Sequence, residues 1–101
     1  MESDVETRLR LLMLQSLEGD QGAYRSLLSE LGARLRVYFG RRLGGFGGNV
    51  EDLVQEVLIA IHKNRDTYDR NRPFTAWAYA LARYRLIDHY RRSGRRADSG
   101  R

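Results

Sequence analysis

Histidine, serine and carboxylate side chains are the groups in this sequence that could catalyse a reaction or bind a metal, and their spacing supports neither. His62 and His89 lie in different segments, and no second histidine or cysteine stands three or four residues from either of them. The serines, histidines and acids show no arrangement that pairs a nucleophile with a base. Because the sequence has no cysteine, a disulfide framework and a thiolate metal site are excluded. We therefore expect a protein that binds other molecules, with no enzymatic activity, metal or cofactor.

Arginine side chains interleaved with aromatic ones offer a different chemistry, the binding of a polyanion. Lys63 is the only lysine among the 18 basic residues of this 101-residue chain. Arginine presents a planar fork of donors to phosphate and stacks on bases, which lysine cannot do. Residues 83–101 are strongly basic, whereas residues 1–30 carry a net negative charge. This asymmetry predicts a polyanionic partner for the C-terminal end of the chain.

The segment at residues 49–65 has two chemically distinct sides when it is drawn as a helix. Its apolar stripe, spaced as in a helix that faces a core, consists of Val50, Leu53, Val54, Val57, Leu58 and Ile61. Its opposite side consists of Asp52, Gln55, Glu56, Ile59 and Lys63. A lone Ile59 among polar side chains suits an apolar anchor for another protein. A solvated face with one stray isoleucine is the simpler alternative.

Helical periodicity and capping residues place four helices along the chain, at about residues 5–17, 21–43, 50–66 and 73–92. Asp20 is expected to cap the second helix and Asn49 the third, and Pro73 is favoured at the first position of the fourth. The sequence therefore predicts an all-α fold, a compact bundle of about four helices over residues 1–92. The glycine-rich run at 44–48 is a connector, and residues 93–101, which lack periodicity, are expected to form a flexible basic tail.

The fourth helix has apolar and aromatic residues on two sides, so it either lies between neighbours or keeps one side for a ligand. Arg83, Tyr84 and Arg91 combine basic and aromatic groups, as surfaces for single-stranded nucleic acid do. For Phe74 and Trp77, plain core packing is the alternative to a role in binding.

The sequence contains no candidate for a membrane segment. The longest apolar run near its start, at residues 11–14, is far too short for a signal peptide or a membrane span. A reducing cytoplasm is the default expectation.

Several motifs, taken in order, resemble conserved region 2 of the bacterial extracytoplasmic-function (ECF) sigma factors over about residues 19–96. They are GD before a helix at 19–20, DLVQEV at 52–57, RPF at 72–74, a tryptophan three residues later, and ID followed by basic residues at 87–92. The resemblance implies an all-helical domain that binds core RNA polymerase and the promoter −10 element.

The resemblance also implies roles for individual residues. Asp52, Gln55 and Glu56 match the family positions that dock on the coiled coil of the polymerase β′ subunit, and Ile59 and Lys63 extend that face. Residues 68–72 with Phe74 match the segment that receives a flipped base of the non-template strand. Residues 77–92 match the segment that contacts the upstream part of the −10 element. The DNA-binding residues expected on this basis are Tyr68, Arg70, Asn71, Arg72, Phe74, Trp77, Arg83, Tyr84, Arg91 and Arg92.

Two departures from the family pattern affect these expectations. Tyr84 stands where the family often has asparagine, and a tyrosine cannot form the two-pronged amide contact with a base. The sequence therefore does not predict which promoter base is preferred at the position that Tyr84 contacts. The family also carries a helix-turn-helix domain, region 4, that reads the −35 element, and residues 93–101 stand where the linker to it would begin. We expect the chain to be a fragment of a longer protein, with an anti-sigma factor as a further candidate partner.

Two other functions are compatible with the residues. One is a helical, repressor-like domain that binds duplex DNA with its basic helix in the major groove. The other is a protein-interaction module whose arginines serve only solubility. An acidic docking face next to an aromatic and basic face favours the sigma-type module over both.

Overall fold

The computed structural model describes the backbone of residues 2–45 and 48–99 and the side chains of residues 4–45 and 48–93. Helix α1 spans Glu2–Leu17, α2 spans Gln21–Leu43, α3 spans Gly48–Lys63 and α4 spans Phe74–Ser99. A single 3-10 turn, Arg65–Thr67, follows α3. No strand occurs in the described part of the chain. The predicted all-α bundle of four helices is confirmed.

Two predicted helix boundaries differ from the structure. Helix α3 ends at Lys63 rather than near residue 66, because the side-chain amide of Asn64 donates to the Ala60 carbonyl oxygen at 2.8 Å and the chain then enters the 3-10 turn. Helix α4 continues to Ser99, whereas we expected it to end near Arg92 and a flexible tail to follow. The stretch beyond Arg92 has no proline, and one glycine costs a helix only about 1 kcal/mol relative to alanine. Residues 100–101 of the predicted tail lie outside the described residues.

Capping groups set the ends of α2. The Asp20 side chain accepts a hydrogen bond from the Ala23 backbone N–H at 2.9 Å, as the sequence predicted. At the other end Gly44 adopts a left-handed conformation with φ of 77°, which only glycine adopts without cost. Asn49, which we expected to cap α3, lies inside that helix instead.

The core is formed by one stripe from each helix. α1 packs against α2, α2 against α3, α3 against α4, and α4 returns to α1. The predicted stripe of α3 is buried except for the half-buried Leu58. The largest fully buried side chains are Phe39, Phe74, Leu9, Met13, Leu27, Leu31, Leu35, Leu53 and Ile61. Within the described residues, none of these helices has the length and apolarity needed to cross a membrane.

Candidate functional site

The solvent side of α3 carries the five residues that the sequence assigned to a docking face. Asp52, Gln55, Ile59 and Lys63 are exposed and Glu56 is half-buried. Ile59 keeps 52% of its surface exposed, although the buried stripe of the same helix lies one turn away. We call these five residues the α3 outer face. An exposed isoleucine flanked by an acid, an amide and a lysine can dock on a protein surface without any change in the core.

Glu56 connects this face to α4. Its carboxylate lies 4.0 Å from the Arg85 guanidinium and 3.9 Å from that of Arg92. Arg92 also lies 3.3 Å from Asp88 on its own helix. Exposed ion pairs of this kind contribute little stability, so Arg92 can exchange these partners for a phosphate. Arg92 is thus on the α3 side of α4.

The two aromatic residues expected to flank a base pocket are buried. Tyr68 is 5% exposed and Phe74 is fully buried. The Tyr68 ring lies edge-on to Phe74 at a centroid distance of 5.7 Å and tilted against Trp77 at 5.3 Å. Its hydroxyl donates to the Arg72 carbonyl oxygen at 2.6 Å, and burial raises the pKa of this phenol, which keeps it protonated. Core packing, the alternative for Phe74, describes its position; the half-buried Trp77 packs on the same cluster.

The exposed part of the loop at residues 68–73 is therefore polar. Arg70, Asn71 and Arg72 are all exposed. The Asp69 side chain accepts from the Asn71 backbone N–H at 2.9 Å, which forms a local turn at the tip. Among the residues expected to contact DNA in this segment, these three are the ones that can reach a ligand directly. Tyr68 and Phe74 are buried next to these residues, and the Tyr68 hydroxyl bonds to the Arg72 backbone.

Helix α1 fixes both the loop and the start of α4, which the sequence did not reveal. The Glu6 carboxylate accepts from the backbone N–H groups of Phe74 at 2.8 Å and Thr75 at 2.7 Å. These are N–H groups that the first turn of a helix leaves unpaired. Arg10 donates to the Arg70 carbonyl oxygen. No local pattern predicts such contacts, because Glu6 and Phe74 are 68 residues apart.

A salt bridge joins the loop to the residue that follows α1. The Arg70 guanidinium lies 3.0 Å from the Glu18 carboxylate. Both side chains are largely exposed, so the pair orients Arg70 more than it stabilises the fold. Arg10 of α1 and Glu18, just after α1, thus both hold the loop at Arg70.

The exposed face of α4 consists of aromatic and apolar side chains between arginines. Tyr84, Ile87 and Tyr90 are 73%, 51% and 49% exposed, and Arg83 and Arg91 are exposed beside them. We call these five residues the α4 outer face. Arg83, Tyr84 and Arg91 were predicted; Ile87 and Tyr90 were missed. The signal for Ile87 was available, since it lies three residues after Tyr84 and four before Arg91, on one side of the helix.

The chain is thus a helical domain with an exposed face of acid, amide and isoleucine side chains on one helix and an exposed aromatic, basic face on the next. Among residues 4–45 and 48–93, no three histidine or acidic side chains are grouped as a metal site would require. The model of the Sigma-70 region 2 family matches residues 28–96. The chain belongs to that family, which confirms the resemblance found in its motifs.

Known relatives extend this assignment to the ECF group. The ECF RNA polymerase sigma factor SigF of Caulobacter vibrioides is 60% identical over 90 residues, which are 89% of this chain and 50% of that protein. The ECF RNA polymerase sigma factor SigW of Bacillus subtilis is 30% identical over 92 residues, 91% of this chain and 46% of that protein. The chain spans about half the length of these relatives.

A solved structure has the same arrangement of helices. It is the NMR structure of an engineered region 2 of sigmaE in complex with GTAAAA. It matches with a TM-score of 0.72 and 28% sequence identity, over 87% of this chain and 90% of the other. The match confirms the region 2 fold.

Proposed function

We propose that this chain is the promoter-recognition module of an ECF sigma factor, with no catalytic activity of its own. It binds core RNA polymerase through the α3 outer face and holds the melted −10 element with the 68–73 loop and the α4 outer face. The observation that carries the proposal is the exposure of three large aromatic or apolar side chains of α4 between arginines. A helix that served only the core would bury them.

The α3 outer face supports the polymerase contact. Ile59 provides an exposed apolar anchor, and Gln55 and Asp52 provide an amide one turn and a carboxylate two turns before it. The matching family positions dock on the coiled coil of the β′ subunit. The partner is core RNA polymerase in the cytoplasm, and an anti-sigma factor would compete for the exposed faces of the same domain.

The loop and α4 support contact with a single strand. Aromatic platforms contribute about 1–3 kcal/mol per stacked base, whereas opening a base pair costs a few kcal/mol. Because these energies are comparable, the domain captures a base that polymerase exposes and does not melt DNA by itself. The sigmaE region 2 structure contains GTAAAA, so a short strand of that sequence is the natural probe. Tyr84 contributes stacking where an amide would have read a base edge.

A titration of the chain against two DNA probes tests the proposal. One probe is a single strand containing GTAAAA, and the other is the same sequence fully paired. We expect weak, salt-sensitive binding to the single strand and less binding to the closed duplex. If Arg83, Arg91 and Arg92 contact phosphates, the slope of log affinity against log salt is about −2, from about 0.7 per contact. Tighter binding to the closed duplex would contradict base capture and favour the repressor-like alternative.

Substitutions within the site separate base selection from general affinity. Asn71→Ala, at the exposed tip of the loop, should change which base is preferred among probes that differ at one position. Arg91→Gln should weaken every probe by a similar factor, because phosphate contacts carry no sequence information. The measurement is a matrix of affinities for the single-base variants of the probe. If Asn71→Ala lowers the affinity for every probe by the same factor, the loop does not select a base.

A further inference from the structure

A cleft between the start of α2 and the end of α3, which we call the α2–α3 cleft, has no part in the function proposed above. It has a volume of about 390 Å³, and sites for small molecules occupy roughly 300–1,000 Å³. Among the described residues, none that belongs to the α3 outer face, the 68–73 loop or the α4 outer face lines it. Its charged and aromatic lining residues are Asp20, Tyr24, Arg25, His62 and Arg65.

The two arginines of the cleft are available for a ligand. Neither Arg25 nor Arg65 forms an ion pair with another described residue. The Arg65 guanidinium lies over the Tyr24 ring, 4.3 Å from its centre, so the ring holds one face of this cation. The N–H donors lie along the edge of the planar guanidinium, and that contact does not use them. A ligand in the cleft thus meets two unpaired guanidinium groups, one of which is already oriented.

A phenol and an imidazole supply a further donor. The Tyr24 hydroxyl oxygen lies 2.7 Å from Nδ1 of His62. In one neutral tautomer the hydroxyl donates to Nδ1 and Nε2 keeps its proton; in the other Nδ1 donates to the hydroxyl oxygen and the O–H is free. One donor of the pair therefore remains for a ligand in either tautomer, and protonation of the imidazole leaves two.

The acceptors of the cleft are already engaged. The Asp20 carboxylate caps α2 by accepting from the Ala23 backbone N–H at 2.9 Å. The Ser16 hydroxyl donates to the Met13 carbonyl oxygen at 2.8 Å. With a neutral imidazole, the two guanidinium groups carry two positive charges against the single negative charge of the capping carboxylate. The cleft is therefore positive and rich in unused donors, which is the chemistry of an anion site.

We propose that the α2–α3 cleft binds the phosphate group of a small phosphorylated molecule. A phosphate monoester carries a charge of about −1.5 to −2 at neutral pH and three strong acceptor oxygens. Two guanidinium forks and a separate donor match those three oxygens, whereas a carboxylate has only two. The volume of the cleft leaves room for part of the group to which the phosphate is attached. The inference does not depend on the proposed function, because the cleft shares no residue with the surfaces assigned there.

The test is a titration of the chain with inorganic phosphate, followed by NMR at constant pH and constant ionic strength. His62 and His89 are the only histidines, so the ring signals of His62 report on the cleft and those of His89 on α4 serve as the internal reference. Ribose 5-phosphate and ribose are titrated in the same way, to compare a phosphate ester with its parent sugar. Acetate is the carboxylate probe.

We expect inorganic phosphate and ribose 5-phosphate to shift the His62 signals to saturation, with no saturable shift at His89 and none from ribose. Arg25→Gln and Arg65→Gln should each weaken phosphate binding by about tenfold or more, the scale of one charge-assisted hydrogen bond. Arg41→Gln, at an exposed arginine near the other end of α2, is the matched control and should stay within about twofold of wild type. Thermal unfolding midpoints identify a variant that loses stability. Because Arg25 is exposed, its variant still tests the cleft if Arg65→Gln disturbs the 3-10 turn.

Three outcomes would overturn the proposal. If Arg41→Gln weakens binding as much as Arg25→Gln does, phosphate only neutralises the basic surface. If acetate binds as tightly as phosphate, the cleft is a general anion site. If the GTAAAA strand displaces phosphate from His62 and binds less tightly to Arg25→Gln, the cleft is a nucleic-acid contact. Saturable phosphate binding by a chain that does not bind the strand would support the cleft and contradict only the proposed function.

Discussion

Helix α3 and the 68–73 loop carry the two candidate binding surfaces, and they are stabilised in opposite ways. Every position on the α3 outer face is set by the periodicity of its own sequence, because the buried stripe determines what faces solvent. The loop has no such periodicity. Its shape depends on the buried rings of Tyr68 and Phe74 beneath it and on Glu6 and Arg10 of α1 beside it. Residues of the α3 outer face can therefore be substituted without affecting the rest of the fold. Substitutions in α1, by contrast, should alter what the loop binds.

The largest expected effect contrasts Phe74 with Ile59. Phe74→Ala should destabilise the fold by about 3–5 kcal/mol, because the ring is fully buried against Tyr68 and Trp77. Ile59→Ala, at a side chain that is half exposed, should change stability by less than about 0.5 kcal/mol. Urea denaturation of both variants measures the difference. If Phe74→Ala keeps its stability but loses DNA binding, the ring lies at the surface and its assigned burial is wrong.

A smaller effect is expected at Glu6. Glu6→Gln removes the charge that accepts two N–H groups at the start of α4 and should cost about 1 kcal/mol, as the loss of a helix cap does. It should also weaken the base preference of the loop. Asp20→Ala is the matched control, because it removes the cap of α2 and the Asp20 side chain bonds to Ala23 rather than to the loop. Equal effects of the two variants on base preference would show that Glu6 acts only through stability.

Substitutions on the α3 outer face should change the affinity for core polymerase rather than the stability of the fold. Ile59→Asp should leave the free energy of unfolding within about 0.5 kcal/mol of wild type and should sharply lower affinity for core polymerase. Leu11→Asp, at an equally exposed apolar side chain of α1, is the control and should leave that affinity unchanged. Direct binding assays with core polymerase distinguish them. Loss of the fold in Ile59→Asp with intact polymerase binding would reverse the assignment of the two faces of α3.

The smallest effect belongs to a second contact of α1, between Arg8 and Glu30. The hydrogen bond from Arg8 holds the pKa of Glu30 below its ordinary value. A lowered folded-state pKa stabilises the protein above the unfolded pKa, and the contribution is lost as the pH falls through the folded value. Arg8→Gln should therefore be slightly less stable than wild type at neutral pH, with the difference shrinking as the pH falls below the ordinary glutamate pKa of about 4.3 and vanishing below the lowered folded-state pKa. A difference that grows in acid would exclude this linkage.

The features that could be predicted from sequence differ between α3 and the loop in the same way. The helices, the Asp20 cap and both faces of α3 were predictable, because each depends on residues within one or two turns of each other. Tyr68 and Phe74 were expected to flank a base pocket, with core packing as the alternative for Phe74, and the sequence could not decide because burial depends on neighbours that it does not place. The contact of Glu6 with the start of α4 could not be predicted for the same reason. Glu6 also lies before residue 28, where the family match begins. Tyr90 was not among the expected binding residues, although about half of its surface is exposed; its hydroxyl contacts α2, a contact that the sequence does not place.

The most direct test of the central claim joins the two surfaces in one measurement. A fluorescent single strand containing GTAAAA is titrated with the chain, in the presence and absence of core RNA polymerase. We expect polymerase to raise the apparent affinity for the strand when wild-type chain is present. Ile59→Asp should lose that increase while keeping the weak binding of the chain alone. If polymerase raises the affinity equally with Ile59→Asp, or not at all with wild type, the chain does not link polymerase to the melted strand through these faces.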